Sequence, residues 1–135
     1  MHEWALAEAV VATAKRAAQG KKLRRVTEIT VKLGELQQIE REIFEFALQQ
    51  ILSQEDSLVR GAKVTLERER ARFRCRLCHH EWAFESENLN SEIAEAIHFI
   101  PEIAHTYIRC PQCHSPDFEV IAGRGVWLAA LKGEE

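Results

Sequence analysis

The chain has 135 residues, 46% of them hydrophobic and 29% charged, with a formal net charge of −3. That length fits one domain, or one domain carrying a small extra module, and the apolar fraction excludes general disorder. No apolar run approaches the ~20 residues of a membrane span, and the near-neutral balance argues against bulk nucleic-acid binding, which draws on a clear positive excess.

Met1-His2-Glu3-Trp4 has neither the basic stretch nor the long apolar run of a secretory leader, so the expected compartment is the cytoplasm. Trp4, Ala7, Val11, Ala14 and Ala18 recur at 3.6-residue spacing and predict a helix over 4–19. Gly20 stands where a left-handed residue would end it, and Lys21, Lys22, Arg24 and Arg25 follow at the negative end of its dipole. Residues 26–33 alternate, with Ile29, Val31 and Leu33 on one face, as in a half-buried strand ended by Gly34. Ile43, Phe44, Ala47, Leu48, Ile51 and Leu52 form a broad stripe that predicts a second helix over 40–53. Residues 62–73 begin as a strand. Their continuation Glu67-Arg68-Glu69-Arg70 is polar on both sides, which suits an edge or a protruding ribbon.

Composition shifts after Arg74. Residues 74–116 hold all four cysteines, five of the six histidines and all three prolines. From His79 to Ile108 there is no lysine or arginine, but there are six glutamates. Phe118–Ile121 and Val126–Leu131 are again strand-like. Split by Gly123-Arg124-Gly125, they suit a hairpin or bulged strand returning to the first sheet. The expected fold is α+β: a small three-stranded sheet with two helices, interrupted by an inserted zinc-binding, zinc-ribbon-like module. The expected division is a discontinuous domain of residues 1–73 and 117–135, with the module at 74–116.

The cysteines fall in two matched pairs, Cys75-x-x-Cys78 and Cys110-x-x-Cys113. In a reducing compartment disulfides are disfavoured, and two such turns supply the four thiolates of a tetrahedral structural zinc site. Each pair is followed by a histidine, His79 or His114, a spacing shared with c-type haem attachment. Haem attachment belongs to an exported chain, and a redox Cys-x-x-Cys belongs to a thioredoxin-like context, which is absent here. Iron on four thiolates is chemically admissible, with zinc the better choice. His80 reads as an exposed neighbour. For His79 and His114, exposed neighbour and substitute zinc ligand stay open. From Arg60 to Arg76 there are seven basic and two acidic residues. This run reads as a solvated edge pairing with the nearby glutamates, or as a docking surface for an acidic partner.

Met1-His2-Glu3 carries a specific chemistry. The terminal amine, the His2 imidazole, and the backbone nitrogens of His2 and Glu3 can together make a planar, all-nitrogen set suited to Ni(II) or Cu(II). From three residues alone, an exposed and frayed terminus is the simpler reading. No nucleophile triad, P-loop or dinucleotide fingerprint is present, and four thiolates leave zinc no open position, so an enzyme is not expected.

Taken over nearly its full length, the chain resembles the HypA family of nickel-insertion accessory proteins for hydrogenase maturation. The resemblance rests on Met1-His2-Glu3 opening an alanine-rich helix, Val31-Lys32-Leu33-Gly34-Glu35-Leu36, the two cysteine pairs, and Phe118-Glu119-Val120-Ile121-Ala122-Gly123-Arg124-Gly125. The 31 residues between Cys78 and Cys110 match a long-insert branch carrying Ile97-His98-Phe99-Ile100-Pro101-Glu102. The resemblance implies a metallochaperone that binds Ni(II) through Met1, His2 and Glu3, with His98 as a further ligand. Zinc would be held by Cys75, Cys78, Cys110 and Cys113. The nickel would be delivered to the [NiFe]-hydrogenase large-subunit precursor together with a HypB-type nucleotide hydrolase. A monomer or a domain-swapped dimer is admissible, with no membrane or nucleic acid as partner. A zinc-ribbon adaptor or nucleic-acid-binding module without nickel transfer is the alternative.

Overall fold

The computed structural model describes residues 3–37, 39–84, 91–100 and 108–135, with no side chain described at Ser91, Ala94, Ile97 or His98. Helix α1 (Glu3–Gly20) leads to β1 (Arg25–Gly34), a 3-10 turn (Glu35–Gln37) and helix α2 (Arg41–Ser53). Strands β2 (Lys63–Glu69), β3 (Arg72–Cys75) and β4 (Glu81–Ala83) follow, then helix α3 (Ser91–Phe99), β5 (Phe118–Ala122) and β6 (Val126–Glu134). The strands form two three-stranded sheets, ordered β2-β1-β6 and β4-β3-β5. The α+β class with two helices and a three-stranded sheet is thus observed, and a second sheet and a third helix are added to it. No helix among the described residues is long and apolar enough to cross a membrane.

The chain divides into two compact units. One comprises Met1–Lys32, Ile39–Glu67 and Val126–Glu135, and the other Leu33–Gln38 and Arg68–Gly125. In the first unit, α1 packs against α2 and β6. Its buried face is Ala7, Val10, Val11, Ala14 and Ala18, and α2 contributes Phe44, Ala47, Leu48 and Leu52. Each large side chain removed from water here stabilises by roughly 1.5–3 kcal/mol. Trp4 and Ile43, expected on the buried stripes, are 45% and 42% exposed, and Trp4 meets Phe46 edge to face at 6.2 Å. Gly20 continues α1, and the left-handed residue is Lys22 at φ 57°. Leu23 N–H donates to Ala18 O at 3.0 Å and Lys22 N–H to Gln19 O at 3.1 Å, which makes a Schellman end without glycine.

Two strand expectations are corrected. The run 62–73 is not one strand: it breaks at Arg70 and Ala71, and β2 and β3 belong to different sheets. The segments 118–121 and 126–131 likewise separate, β5 pairing with β3 and β6 with β1, so they do not form a hairpin in the first sheet. Gly123, at φ 82°, turns the chain between them.

The second unit is organised by β3. Arg74 lies opposite Glu81 of β4 and Glu119 of β5, while Phe73 lies opposite Trp82 and Val120. Phe73 is fully buried, with ring centroids at 5.0 Å to Phe118, 5.5 Å to Trp82 and 6.0 Å to Phe84. Leu36 and Ala71 complete this core, and Ile93 of α3 packs on it. The basic run pairs within the chain, chiefly with partners outside the acidic insertion. Arg68 meets Glu35 at 2.5 Å, Arg74 meets Glu119 at 3.5 Å and Glu81 at 3.8 Å, and Arg76 meets Asp117 at 2.9 Å.

Candidate metal centre

Each cysteine pair occupies the same turn. At the end of β3, His79 N–H donates to Cys75 O at 3.0 Å, and Cys75 N–H donates to His80 O at 2.9 Å. Ahead of β5, His114 N–H donates to Cys110 O at 2.8 Å, and Cys110 N–H donates to Ser115 O at 3.0 Å. The histidine of each turn is left-handed, at φ 65° for His79 and 64° for His114. That conformation disfavours an ordinary side chain, so the turns are held by what surrounds them. Arg76 ties the two together, donating its N–H to Asp117 O at 2.9 Å and its guanidinium to the Asp117 carboxylate.

The pairing of Cys75 with Phe118 across β3 and β5 brings the two turns face to face. Cys75 Sγ lies 3.5 Å from Cys113 Sγ, Cys78 Sγ lies 3.6 Å from Cys110 Sγ, and all four sulfurs fall within 4.8 Å of one another. Thiolates ~2.3 Å from one central ion are separated by roughly 3.8 Å, so the donor set fits a four-thiolate tetrahedral ion. Cys75 and Cys110 are buried, Cys78 is half-buried and Cys113 is exposed. No histidine nitrogen joins the cluster among the described residues.

Electrostatics within the cluster match that use. The Cys78 N–H, 3.5 Å from Cys75 Sγ, heads the causes that lower the Cys75 thiol to about 7. Burial raises the Cys110 thiol, and the N–H groups of Cys113 and Gln112 outweigh it, leaving that thiol lowered. The His80 N–H lowers Cys78, but burial and the neighbouring sulfurs leave it raised. Ser115 N–H likewise lowers Cys113, yet Cys75, burial and the other sulfurs push it up to about 12. Four sulfurs in one small space do not all ionise unless a cation joins them.

Of the remaining expected ligands, Met1 and His2 lie outside the described residues. Glu3 begins α1 and is buried, its carboxylate accepting Glu40 N–H at 3.3 Å. His98 stands in the last part of α3, its side chain outside the described set. Spacing did not point to the Glu35–Arg68 pair, because its partners are 33 residues apart.

The sequence profile described as "Hydrogenase/urease nickel incorporation, metallochaperone, hypA" matches residues 1–133. A relative from Pyrococcus abyssi, named hydrogenase maturation factor HypA, is 47% identical over 100% of this chain and 97% of its own length. A protein of the same name from Pyrococcus furiosus is 42% identical over the full length of both. The solution structure of the Ni metallochaperone HypA from Helicobacter pylori shares the fold, with a TM-score of 0.69 at 17% identity over 99% of this chain and 98% of that one. The two sulfur-bearing turns, the α+β layer and a family match from end to end lead to one conclusion: the chain belongs to the HypA family of hydrogenase maturation metallochaperones, and so is a maturation factor and not an enzyme.

Proposed function

We propose that this protein carries Ni(II) on its amino terminus and delivers it to the [NiFe]-hydrogenase large-subunit precursor, acting with a HypB-type nucleotide hydrolase in the cytoplasm. The carrying observation is the family match over residues 1–133. The nickel ligands are the Met1 amine, the His2 imidazole and amide, and the Glu3 amide, with His98 as a further donor. Glu3 is the first residue of α1, so its backbone N–H is not part of the helix ladder. Release is as important as capture, and a site at a chain terminus opens at little cost.

Cys75, Cys78, Cys110 and Cys113 hold zinc. Bound there, zinc cross-links the two turns and leaves no position for water or substrate. The protein works as a monomer or as a domain-swapped dimer.

Nickel titration tests the reading. The native chain should develop the absorption of square-planar Ni(II). Both His2→Ala and a chain with one residue added before Met1 should lose it. Unchanged absorption in His2→Ala overturns the proposal. X-ray absorption on the purified and nickel-loaded protein should report sulfur around zinc and nitrogen around nickel.

A further inference from the structure

The two cysteine turns present their sulfurs unequally. Cys75 and Cys110, the first of each pair, are buried, whereas Cys78 is half-buried and Cys113 is exposed among the described residues. The close sulfur contacts run across the turns: Cys113 Sγ lies 3.5 Å from Cys75 Sγ, and Cys78 Sγ lies 3.6 Å from Cys110 Sγ. Each cross pair therefore joins a sulfur that solvent reaches to one held inside. An accessible thiolate beside a second sulfur is the arrangement in which oxidation ends in a disulfide and not in an irreversible acid. A disulfide spans ~2.05 Å, so each pair must close by roughly 1.5 Å, which side-chain rotation supplies. The scaffold under the turns does not use the sulfurs. Phe73 lies opposite Val120 and Cys75 opposite Phe118 in the β3–β5 ladder, and the buried rings of Phe73 and Phe118 meet at 5.0 Å. Arg76 N–H donates to Asp117 O at 2.9 Å beside them.

We infer that the four-cysteine cluster is a peroxide-operated metal release: a hydroperoxide entering at Cys113 and Cys78 converts the cluster into two disulfides across the turns, Cys75–Cys113 and Cys78–Cys110, while the β3–β5 scaffold stays folded. The Cys113 thiolate attacks the peroxide, so an S–O bond forms, the O–O bond breaks, and hydroxide leaves to take a proton from solvent. The Cys75 thiolate then attacks the Cys113 sulfur. The S–S bond forms, the S–O bond breaks, and a second hydroxide leaves as water. Two sulfurs have given two electrons to one peroxide, and a second peroxide does the same at Cys78 and Cys110. Thiolates are the zinc ligands, and disulfide sulfurs do not replace them. With its turns still apposed, the chain is ready to be reduced and reloaded. This inference rests on zinc occupying the four-cysteine site and is independent of the nickel-binding terminus.

Hydrogen peroxide added in about 10-fold excess to the full-length, zinc-loaded native chain tests it, with a colorimetric zinc indicator present. The chain should lose all its zinc and become about 4 Da lighter than the reduced apo chain, two hydrogens for each disulfide. Trypsin cuts after Arg74, Arg76, Arg109 and Arg124 and so separates 75–76, 77–109 and 110–124. Cross-turn bonds tie both 75–76 and 77–109 to 110–124, and fragmentation should place Cys75 on Cys113. The amide signals of Phe73 and Val120 should persist after oxidation, and dithiothreitol with added zinc should restore the starting protein. Retention of zinc overturns the proposal. So do disulfides within the turns, which tie 75–76 to 77–109 and close 110–124 on itself, and so does the pairing of Cys75 with Cys110. Oxygen added to the sulfurs without disulfides, or loss of the Phe73 and Val120 signals, overturns it as well. Metal analysis before oxidation separates the two readings: a starting chain without zinc refutes the zinc assignment, and its disulfide map still decides this one.

Discussion

The carboxylate of Glu3 accepts the backbone N–H of Glu40 at 3.3 Å, tying the first residue of α1 to the residue that precedes α2. Burial raises this carboxyl, and hydrogen bonds, the Glu40 N–H among them, bring it below its ordinary value. A carboxylate depressed in the folded state adds stability above its unfolded pKa, and that stability is lost as pH falls through the folded value. Glu3→Gln should therefore remove part of the acid dependence of stability below the ordinary glutamate range while keeping an acceptor for Glu40. Glu3→Ala should cost about 1–3 kcal/mol at neutral pH, since it strands that N–H. Denaturant melts between pH 3 and pH 7 measure both.

Metal loading should release protons. With Cys113 raised to about 12 and Cys78 also raised, both arrive protonated at pH 8, while Cys75 at about 7 is largely ionised. Zinc added to the apo protein in weak buffer at pH 8 should liberate about two to three protons per ion, read with a pH indicator. Cys113→Ser should lower that yield and weaken retention against a chelator.

Phe73 and Cys75 share the inner face of β3, so the apolar core and the sulfur cluster are joined by one strand. Phe73→Ala should cost about 3–5 kcal/mol and speed zinc loss to a chelator, because the cavity lies against Phe118 and Phe84. Phe46→Ala, at a side chain 58% exposed, should cost about 1 kcal/mol or less and leave zinc retention unchanged. Thermal melts and timed metal analysis separate the two.

Glycines and left-handed positions should respond with opposite signs. Gly123→Ala meets both a positive φ and a backbone collision, and should destabilise by more than about 1 kcal/mol. Gly20→Ala has open space in the last turn of α1 and should stabilise by about 0.4–1 kcal/mol. Lys22→Gly relieves a left-handed lysine and should also stabilise. Calorimetry of the three variants gives the order Gly123→Ala, native, then the other two.

What could be read from the sequence was local. Helical spacing located α1 and α2, alternation located β1, and two matched cysteine pairs located the four-sulfur cluster, because each signal repeats within a few residues. What escaped depended on distant partners. Nothing near Arg72 announces that it pairs with Ala83 and Ala122, so the break at Arg70 and Ala71 looked like a continuing strand. Leu36 lay beyond the strand end read at Gly34, yet it sits in the core with Phe73 and Phe118. Lys22 took the role read onto Gly20 because the chain there runs two residues further before it turns.

The four sulfurs converge only through the β3–β5 pairing, and 31 residues separate Cys78 from Cys110. On the ribosome, the first thiol pair emerges well before the second and can offer a metal only half a cage. The cage closes once the later pair has left the exit tunnel and β5 has paired with β3. Closing the four-sulfur cage is thus a late step of synthesis, and a chain cut short before Cys113 carries no finished cage.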